Sequence, residues 1–432
     1  MMTVFSCPEK EEKDMGRFDH RKATVKLIVK DAAGNLLKNT EIKAEQKTHK
    51  FLFGCGAFDT MGVVMPDDIP PFPGADPEKM KQMKASSIER MEKFKKLFNY
   101  GTIPFYWGMY ERKEGEPNQK MTLDEAKWLN ENGIKVKGHP LCWHTACADW
   151  LMNYSNKEIL EKQLARIHRD VSAFKGQVDM WDVINEVVIM PVFDKYDNAI
   201  TRICKELGRF KLVKEVFEAA KAENPDATFL INDFNTSQSY EILIEGLLEM
   251  GVPISAIGIQ SHQHQGYWGL EKLHEVLERF EHFGLPIHFT ENTLISGEIM
   301  PAYIEDLNDW QVDEWPSTPE GLERQAREAS EMYTELFAHP LVEAITTWDL
   351  TDGKWLKAPS GVLTVDNKEK PVYDALMGLI HGEWETKETF VTDANGEVSI
   401  TGFKGEYDVT AEGKTVRVSL LENSDEPVVI TV

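Results

Sequence analysis

The apolar residues of this chain follow two patterns, one near the ends and one in the middle. Near the amino terminus Val25, Leu27 and Val29 alternate with Lys26 and Lys30, which predicts a strand with one buried face. From about residue 51 onward, short apolar runs alternate with longer segments of helical period. This second pattern is typical of repeated βα units, which build a parallel sheet.

The βα pattern repeats eight times, which favours an α/β fold of the closed (β/α)8 type, a TIM barrel, over an open doubly wound sheet. The predicted strands begin near Phe51, Gly101, Ile134, Asp179, Thr228, Ala256, Ile287 and Val342. Helices are predicted between them, for example over residues 122–132 and 318–337, where Thr318 and Pro319 suit an N-cap and a first turn. We expect the catalytic barrel to span residues 51–384, with long loops around residues 67–77 and 296–317.

Both chain ends predict small β elements. Residues 21–50 predict a β hairpin with a turn over residues 31–35, and residues 385–432 predict short strands with a tight turn at Asn395-Gly396. A lone hairpin is too small to be stable in water, so we expect the two ends to form one β-sandwich-like module. Its shared core is expected to contain Val25, Leu27, Val29, Val398, Ile400, Val409, Val416 and Val418.

Few aromatic residues follow Trp384, so this module is expected to be structural rather than sugar-binding. Residues 1–20 are polar and charged, and they are expected to be disordered or extended.

Charge and cysteine content narrow the possible partners. The 432 residues carry a net charge of -24, which repels phosphate backbones and anionic lipids, so neither nucleic acid nor membrane is an expected partner. The five cysteines form no CxxC pair, which indicates neither a disulfide framework nor a zinc site. The first residues show no signal peptide and no later run is long enough to span a bilayer, so we expect a cytoplasmic protein, or a secreted one if a leader has been removed. The sequence predicts no oligomeric state.

The candidate chemistry lies at the carboxyl ends of the predicted strands, where barrel enzymes place their active sites. Glu186 ends strand four, MWDVINEVV, and Glu291 ends strand seven, LPIHFTENT. These strands lie nearly opposite each other in an eight-stranded barrel, so the two carboxylates can face each other across a groove. Glycoside hydrolysis requires such a pair. Each glutamate taken alone is more simply explained as one of the many surface glutamates.

Further polar motifs end the neighbouring strands: GHPLCWH over residues 138–144, INDFN over 231–235, IGIQSHQH over 257–264 and ITTWDLTDGKW over 345–355. Together with the Asn-Glu and Thr-Glu pairs, they resemble glycoside hydrolase family ten, the xylanase family. The resemblance covers residues 51–379, and the motifs occur in the order of the family.

The resemblance implies a retaining endo-β-1,4-xylanase that hydrolyses xylan or xylo-oligosaccharides by double displacement. Glu186 would be the general acid/base and Glu291 the nucleophile. The remaining residues expected to bind the β-1,4-linked sugar chain are His139, Trp143, Asn185, Gln260, His262, Trp348 and Trp355. The three tryptophans offer flat apolar faces to pyranose rings, although core packing is the alternative for each. No cofactor is implied, and His139, His262 and His264 lack a carboxylate or thiolate at the spacing of a metal site.

The chain departs from the family pattern in two places. Where the family has polar Glu, Asn and Lys residues for the sugar two places from the cut, Pro104, Phe105 and Gly108 stand here. The distal sugar would then be held differently, by stacking on Phe105, Tyr106 or Trp107. Thr293 also replaces an aspartate that orients the histidine of the QSH motif. A hydroxyl cannot compensate an imidazolium, so we expect His262 to be neutral more often unless another acid supplies the charge.

Two other functions remain open. A β-glucanase or β-mannanase on the same barrel would also carry glutamates on strands four and seven. A carbohydrate-binding pseudoenzyme is the other alternative, and the presence of both glutamates argues against it.

Overall fold

The computed structural model describes residues 16–66 and 76–432. Most of the predicted disordered segment 1–20 and of the loop around residues 67–77 therefore lies outside the described residues, as does Cys7. The chain divides into two compact units. One comprises Phe53–Met332 and Leu341–Asp374, and the other comprises the residues up to Leu52, Tyr333–Pro340 and Ala375–Val432.

The strands of the described residues are β1 (Lys22–Lys30), β2 (Glu41–His49), β3 (Leu52–Gly56), β4 (Tyr100–Pro104), β5 (Lys135–His139), β6 (Met180–Asn185), β7 (Thr228–Asp233), β8 (Ala256–Ile259), β9 (His262–Gln263), β10 (Ile287–Leu294), β11 (Val342–Thr347), β12 (Lys387–Val391), β13 (Glu397–Phe403), β14 (Gly405–Ala411), β15 (Lys414–Leu420) and β16 (Ser424–Thr431).

The α-helices are α1 (Thr60–Val64), α2 (Pro77–Leu97), α3 (Trp107–Tyr110), α4 (Gln119–Glu131), α5 (Asn156–Phe174), α6 (Ala199–Leu207), α7 (Arg209–Glu223), α8 (Gln238–Glu249), α9 (Gly269–Glu281), α10 (Pro319–Ala338) and α11 (Pro371–Gly378).

Eight strands close into a barrel in the order β3-β4-β5-β6-β7-β8-β10-β11, and β11 returns to β3. Neighbouring strands run parallel, as the registers of β4 with β5 and of β7 with β8 show. The predicted (β/α)8 fold is confirmed, and each strand begins within one residue of its predicted start. The short β9 pairs only with the end of β10 and lies outside the ring.

The helix after the long loop begins where the sequence predicts. The hydroxyl of Thr318 accepts a hydrogen bond from the backbone N–H of Gly321 at 3.0 Å, and Pro319 occupies the first turn of α10. This side-chain cap satisfies a backbone donor that the first turn of a helix leaves free. The loop over residues 296–317 thus ends at a fixed point.

The terminal strands form a sandwich of two sheets, as predicted. One sheet has the order β13-β1-β16 and the other β12-β2-β14-β15. The interior is aliphatic, with Val25, Leu27, Val29, Val398, Ile400, Val409 and Val418 buried and Val416 partly buried. The later aromatic residues do not form an exposed platform, because Phe403 and Tyr407 are buried and Phe390 is partly buried. A structural role for this module stays a prediction.

The predicted hairpin over residues 21–50 is wrong. β1 pairs antiparallel with β13 and parallel with β16, whereas β2 pairs with β12 and β14 in the other sheet. The turn after Asp31 does form, with its carboxylate accepting from the N–H groups of Ala33 and Asn35, but the chain then crosses between sheets. A hairpin would leave both apolar faces on one open surface, while two facing sheets let those faces cover each other.

Four cysteines lie among the described residues. Cys55, Cys142 and Cys204 are buried free thiols, and Cys147 is a free thiol that is only partly buried.

Across residues 16–66 and 76–432, no helix combines the length and the apolar character that crossing a bilayer requires.

Candidate active site

Glu186 directly follows β6 at the mouth of the barrel. Its backbone has a positive φ of 57°, a left-handed conformation that is uncommon for a residue with a side chain. Its N–H donates to the carbonyl of Asn232 on the neighbouring strand at 2.8 Å. One carboxylate oxygen accepts a hydrogen bond from Trp143 Nε1 at 2.9 Å, and the other accepts one from Asn185 Nδ2 at 3.2 Å. The strained turn therefore aims the carboxylate at the mouth, where only 16% of the side chain is exposed.

Burial raises the pKa of Glu186 to about 8, and the nearby negative charges of Glu291 and Asp233 add to the effect. The hydrogen bond from Trp143 acts in the opposite direction without reversing the shift. His144 Nε2 lies 4.0 Å from Glu186 Oε2. Burial lowers the pKa of His144 to about 4, so its ring is neutral at neutral pH. Glu186 is thus a protonated carboxylic acid at neutral pH, as a general acid must be.

Glu291 lies within β10 and its side chain is only 6% exposed. One carboxylate oxygen accepts from Asn232 Nδ2 at 2.8 Å, and the other lies 3.0 Å from His262 Nε2. Burial by itself would raise the pKa of Glu291, but the electrostatic effects of His139, His262 and Lys137 and the hydrogen bond with His262 outweigh it and hold the pKa below its usual range. The two carboxyl groups therefore differ in protonation at neutral pH.

A buried ion pair supports the Glu291 side of the site. Lys137 on β5 lies 2.7 Å from Asp182 on β6, and both side chains are fully buried. The same oxygen of Asp182 lies 2.7 Å from His139 Nδ1, and the other ring nitrogen of His139 lies 4.0 Å from Glu291. Asp182 thereby orients His139 toward Glu291, in the way a hydrogen-bonded carboxylate commonly fixes an imidazole.

Asn232 on β7 connects the two halves of the site. Its amide nitrogen donates to Asn185 Oδ1 and to Glu291 Oε1, each at 2.8 Å, and its oxygen accepts from the hydroxyl of Thr290 at 2.6 Å. Gly258 on β8 leaves the necessary space, because a Cβ atom there would lie 2.4 Å from the Asn232 oxygen. The fully used amide fixes the position of Asn185 relative to Glu291.

The predicted sugar-binding residues Asn185 and Gln260 lie within this network. Gln260 Nε2 lies 3.1 Å from Asn185 Oδ1 and 3.3 Å from Glu186 Oε1. Both side chains are buried, with their amides directed toward the carboxylates. The structure therefore brings Asn185, Gln260 and the two glutamates together.

The predicted aromatic residues surround the carboxylates. Trp143 is partly exposed and uses its N–H on Glu186, so core packing does not describe it. The ring of Trp348 makes edge contacts with His139 and His262 at centroid distances of 5.2 and 6.1 Å. Trp355 is partly exposed and lies 4.6 Å from the ring of His262. All three indoles are thus next to side chains that contact a catalytic candidate.

Thr293 lies beside His262. Its hydroxyl is 3.4 Å from His262 Nδ1, which is long for a hydrogen bond. The acid in direct contact with His262 is Glu291 itself, at 3.0 Å. A second buried acid, Asp349, interacts with His262 electrostatically, and burial raises the pKa of Asp349 to about 6. The predicted shift of His262 toward the neutral form stays a prediction.

Two of the three aromatic residues proposed to hold the distal sugar are unsuitable. Phe105 is fully buried among Tyr110, Phe174 and Trp181. Trp107 is 4% exposed and donates its N–H to Glu111 at 3.0 Å. Both belong to the interior because successive residues after β4 point in different directions.

Tyr106 remains available for sugar contact. It is partly exposed, and its ring lies 5.6 Å from that of Trp143 and 5.7 Å from that of His139. Gly108, which stands at the family's lysine position, packs against backbone: a Cβ atom there would lie 2.7 Å from the carbonyl oxygen of Cys147. No side chain fits at that point without movement of the backbone.

Sequence reasoning did not identify Lys137, Asp182 and Asn232 as site residues. A signal was present, since Lys137 and Asp182 are charged residues within otherwise apolar strands, and such residues are buried only when paired. Asn232 lies inside the INDFN motif. As to metals, the portion of the chain that the structure describes holds no group of three or more His, Cys, Asp or Glu side chains suited to an ion.

A closed (β/α)8 barrel with one protonated and one ionised glutamate at its mouth defines the class of barrel glycosidases that use paired carboxylates. The family model described as glycosyl hydrolase family 10 matches residues 79–379. The chain therefore belongs to glycosyl hydrolase family 10.

Individual relatives share less than a third of their aligned residues with this chain. An endo-1,4-beta-xylanase/feruloyl esterase of Xylanibacter ruminicola is 28% identical over 318 residues, which cover 64% of this chain and 41% of the relative. Endo-1,4-beta-xylanase C of Paenibacillus barcinonensis is 27% identical over 316 residues, which cover 64% of this chain and 28% of the relative. The chain thus spans less than half the length of both relatives.

The barrel also resembles solved structures. Xylanase 10B of Thermotoga petrophila, solved in complex with xylobiose, superposes with a TM-score of 0.59 at 23% identity, covering 77% of this chain and 95% of that one. At this identity the likeness shows the fold alone.

Proposed function

We propose that the protein is a retaining endo-β-1,4-xylanase. The observation that carries the proposal is the opposite protonation of Glu186, which follows β6, and Glu291, which lies in β10, with the pKa of Glu186 raised to about 8 and that of Glu291 held low. Double displacement needs this combination, because one carboxyl group must donate a proton while the other attacks. The xylanase names of the relatives and the xylobiose in the Thermotoga complex support a xylan-type substrate.

In the first step Glu291 attacks the anomeric carbon as the glycosidic C–O bond breaks, and Glu186 gives its proton to the departing oxygen. The product is a glycosyl ester of Glu291. Glu186, now ionised, then takes a proton from water, whose oxygen attacks the same carbon and releases Glu291. Two inversions at one carbon give net retention.

The surrounding residues have distinct roles in this proposal. Asn185, which Asn232 and Gln260 hold in place, can donate to a sugar 2-hydroxyl, a bond that strengthens as charge develops at the anomeric centre. His139 and His262 keep Glu291 ionised and can contact sugar hydroxyl groups. Trp143, Trp348 and Trp355 supply apolar faces for pyranose rings.

The experiment is hydrolysis of defined xylo-oligosaccharides, followed by NMR of the anomeric protons from the first seconds. Retention predicts that the β-anomer appears first and mutarotates later. Initial appearance of the α-anomer would exclude double displacement.

A β-glucanase or β-mannanase is the second candidate. The residues at the end of β4, which differ from the family pattern, support this alternative. Phe105 is buried and Gly108 lacks a side chain, so the polar contacts that the resemblance implies for a distal xylose are absent there. Rates on xylan, β-glucan and β-mannan at equal mass concentration separate the candidates. Faster turnover of glucan or mannan than of xylan would replace the xylanase proposal.

A further inference from the structure

The long loop after β10 contains a segment, residues 304–313, that we call the strap. On one side it contacts the loop after β11. The side chain of Asn308 accepts a hydrogen bond from Trp355 Nε1 at 3.2 Å. The ammonium group of Lys357 donates to the backbone carbonyls of Val312 and Asp313, each at 2.9 Å. The strap is therefore attached to the residues that carry Trp355.

On its other side the strap contacts the segment that follows Glu186. The ammonium group of Lys195 lies 2.6 Å from Asp306 Oδ2 and 2.8 Å from Asp309 Oδ1. All three side chains are partly or largely exposed, at 41%, 33% and 64% respectively. Asn308 and Asp309 are consecutive, so the two attachments lie next to each other in the chain.

These attachments come from opposite sides of the barrel. Trp355 follows β11 and Lys195 follows β6. Counting around the ring, β6 and β11 are four strands apart in either direction, through β7, β8 and β10 or through β5, β4 and β3. The strap therefore connects two loops that follow strands on opposite sides of the barrel.

Both attachments of the strap lie close to the catalytic candidates. The ring of Trp355 is 4.6 Å from that of His262, which contacts Glu291. On the other side Phe193, two residues before Lys195, lies 4.5 Å from the ring of His144. His144 is 4.0 Å from Glu186. The strap thus joins two loops, each of which contacts a side chain beside one of the two glutamates.

The strap has a packed underside. Ile304, Leu307, Trp310 and Val312 pack against a small apolar cluster of Ile295, Met300, Trp315 and Ala358. At the base of the loop, the hydroxyl groups of Ser296 and Ser317 lie 2.7 Å apart, and Arg324 donates to the Ile295 carbonyl at 2.9 Å. The link to Lys195 is made of exposed ion pairs, whereas the exposed ammonium group of Lys357 bonds to backbone carbonyls.

We propose that Lys195, through Asp306 and Asp309, determines the length of substrate that the enzyme accepts. A bridge across the groove obliges a sugar chain to enter by its end, whereas an open groove also accepts the middle of a polymer. With the bridge formed, internal bonds of polymeric xylan are cut more slowly relative to the bonds of short xylo-oligosaccharides. Exposed ion pairs are weak and screened by salt, so the bridge can open and admit polymer. This inference rests on the proposed function.

The test compares Lys195→Met with the wild type on soluble xylan and on a short xylo-oligosaccharide. The fall in viscosity is measured per reducing end released, since internal cuts lower viscosity far more than cuts at chain ends. We expect Lys195→Met to raise this ratio roughly 2- to 5-fold, the scale of losing exposed ion pairs, with little change on the oligosaccharide. The double variant Asp306→Asn/Asp309→Asn should behave in the same way.

Two controls separate the bridge from general effects. Lys214→Met removes an ammonium group of equal exposure, 40%, that pairs with Glu218 on an outer helix, and it should leave the ratio unchanged. Lys195→Arg keeps the charge and should resemble the wild type. Raising the salt concentration should move the wild type toward Lys195→Met while leaving that variant unaffected.

An unchanged ratio in both Lys195→Met and the double asparagine variant, with native melting temperatures, would overturn the strap proposal. Absence of hydrolysis of xylan and of the oligosaccharide by the wild type would instead contradict the proposed function. The two failures are therefore distinguishable.

Discussion

The interior of the terminal sandwich is filled by aliphatic side chains, whereas the mouth of the barrel buries charged ones. Leu27, Val29 and Ile400 are fully buried and have no polar atoms in their side chains. Lys137 and Asp182 are equally buried, and they carry full charges. Aliphatic burial stabilises a fold directly, while a buried ion pair commonly contributes little net stability.

This difference shows what each region is for. The sandwich core tolerates any set of side chains of suitable volume and pattern. The barrel mouth requires particular charges at particular positions, since each one sets the protonation of Glu186 or Glu291. Substitutions in the mouth should therefore change chemistry first, and substitutions in the sandwich core should change stability first.

The largest expected effect is that of Glu291→Ala, which removes the attacking oxygen. Without it no glycosyl-enzyme forms, and we expect kcat to fall on the order of 10⁵-fold on aryl xylosides and oligosaccharides alike. Azide should restore part of the activity and give an α-product. Glu278→Ala, at an exposed position on α9, serves as the control. Substantial residual activity without azide would assign the nucleophile to another residue.

Glu186→Ala should cost roughly 10² to 10⁴-fold on substrates with poor leaving groups, because these need a proton. Activated aryl xylosides should instead show a burst, since only the second step then lacks its base. The wild type should lose kcat/KM as the pH rises through about 8, where Glu186 ionises and can no longer donate. This alkaline limb should disappear in the variant. Equal loss on both substrate types without a burst would contradict the assignment.

Lys137→Met tests whether a buried charge away from the substrate tunes the nucleophile. Lys137 is one of the groups that lower the pKa of Glu291, so its loss should raise that pKa. Activity needs ionised Glu291, so the acid limb of the pH profile should move to higher pH, with kcat/KM down on the order of 10-fold or more. Asp182 would keep only its contact with His139, so the free energy of unfolding should also fall, by up to about 3–5 kcal/mol.

The Lys214→Met variant serves as a surface control for Lys137→Met, since it makes the same substitution at an exposed position. If activity falls while the acid limb stays in place, Lys137 acts through folding alone and not through Glu291.

The smallest effect on catalysis is expected for Leu27→Ala in the sandwich. This truncation of a fully buried side chain should lower the stability of that unit by about 2–5 kcal/mol and leave kcat within roughly twofold. Urea unfolding and an oligosaccharide assay measure the two quantities. Val428→Ala, at a position 44% exposed, should change stability by less than about 0.5 kcal/mol. A large loss of kcat in Leu27→Ala would remove the distinction between the two regions.

The sequence predicts the barrel well because its signals are local. Each strand is a short apolar run and each helix has a 3.6-residue period, so the starts of β7, β8, β10 and β11 fall on the predicted residues. The pairing of β1 with β13 is not local. Its partners lie more than 350 positions apart, so the pattern shows that both strands exist without showing which sheet each joins.

The site residues also fall into those that local sequence signals predict and those that depend on the fold. Glu186 directly follows β6 and Glu291 lies within β10, both inside recognisable motifs, and their neighbours could be predicted with them. The Lys137–Asp182 pair depends on two strands being adjacent, and its charges appear in the sequence only as exceptions within apolar runs. The orientation of Phe105 against Tyr106 depends on the path of the backbone after β4, which composition does not show.

The left-handed backbone of Glu186 has a consequence for how this protein can change over generations. That conformation costs a residue with a side chain on the order of 1 kcal/mol, and glycine or asparagine would adopt it with less strain. The carboxyl group there is also removed from water. Selection for thermal stability alone would therefore favour glycine or asparagine at position 186, which would make the protein more stable and catalytically inactive. Position 186 marks a point where durability and turnover exclude each other.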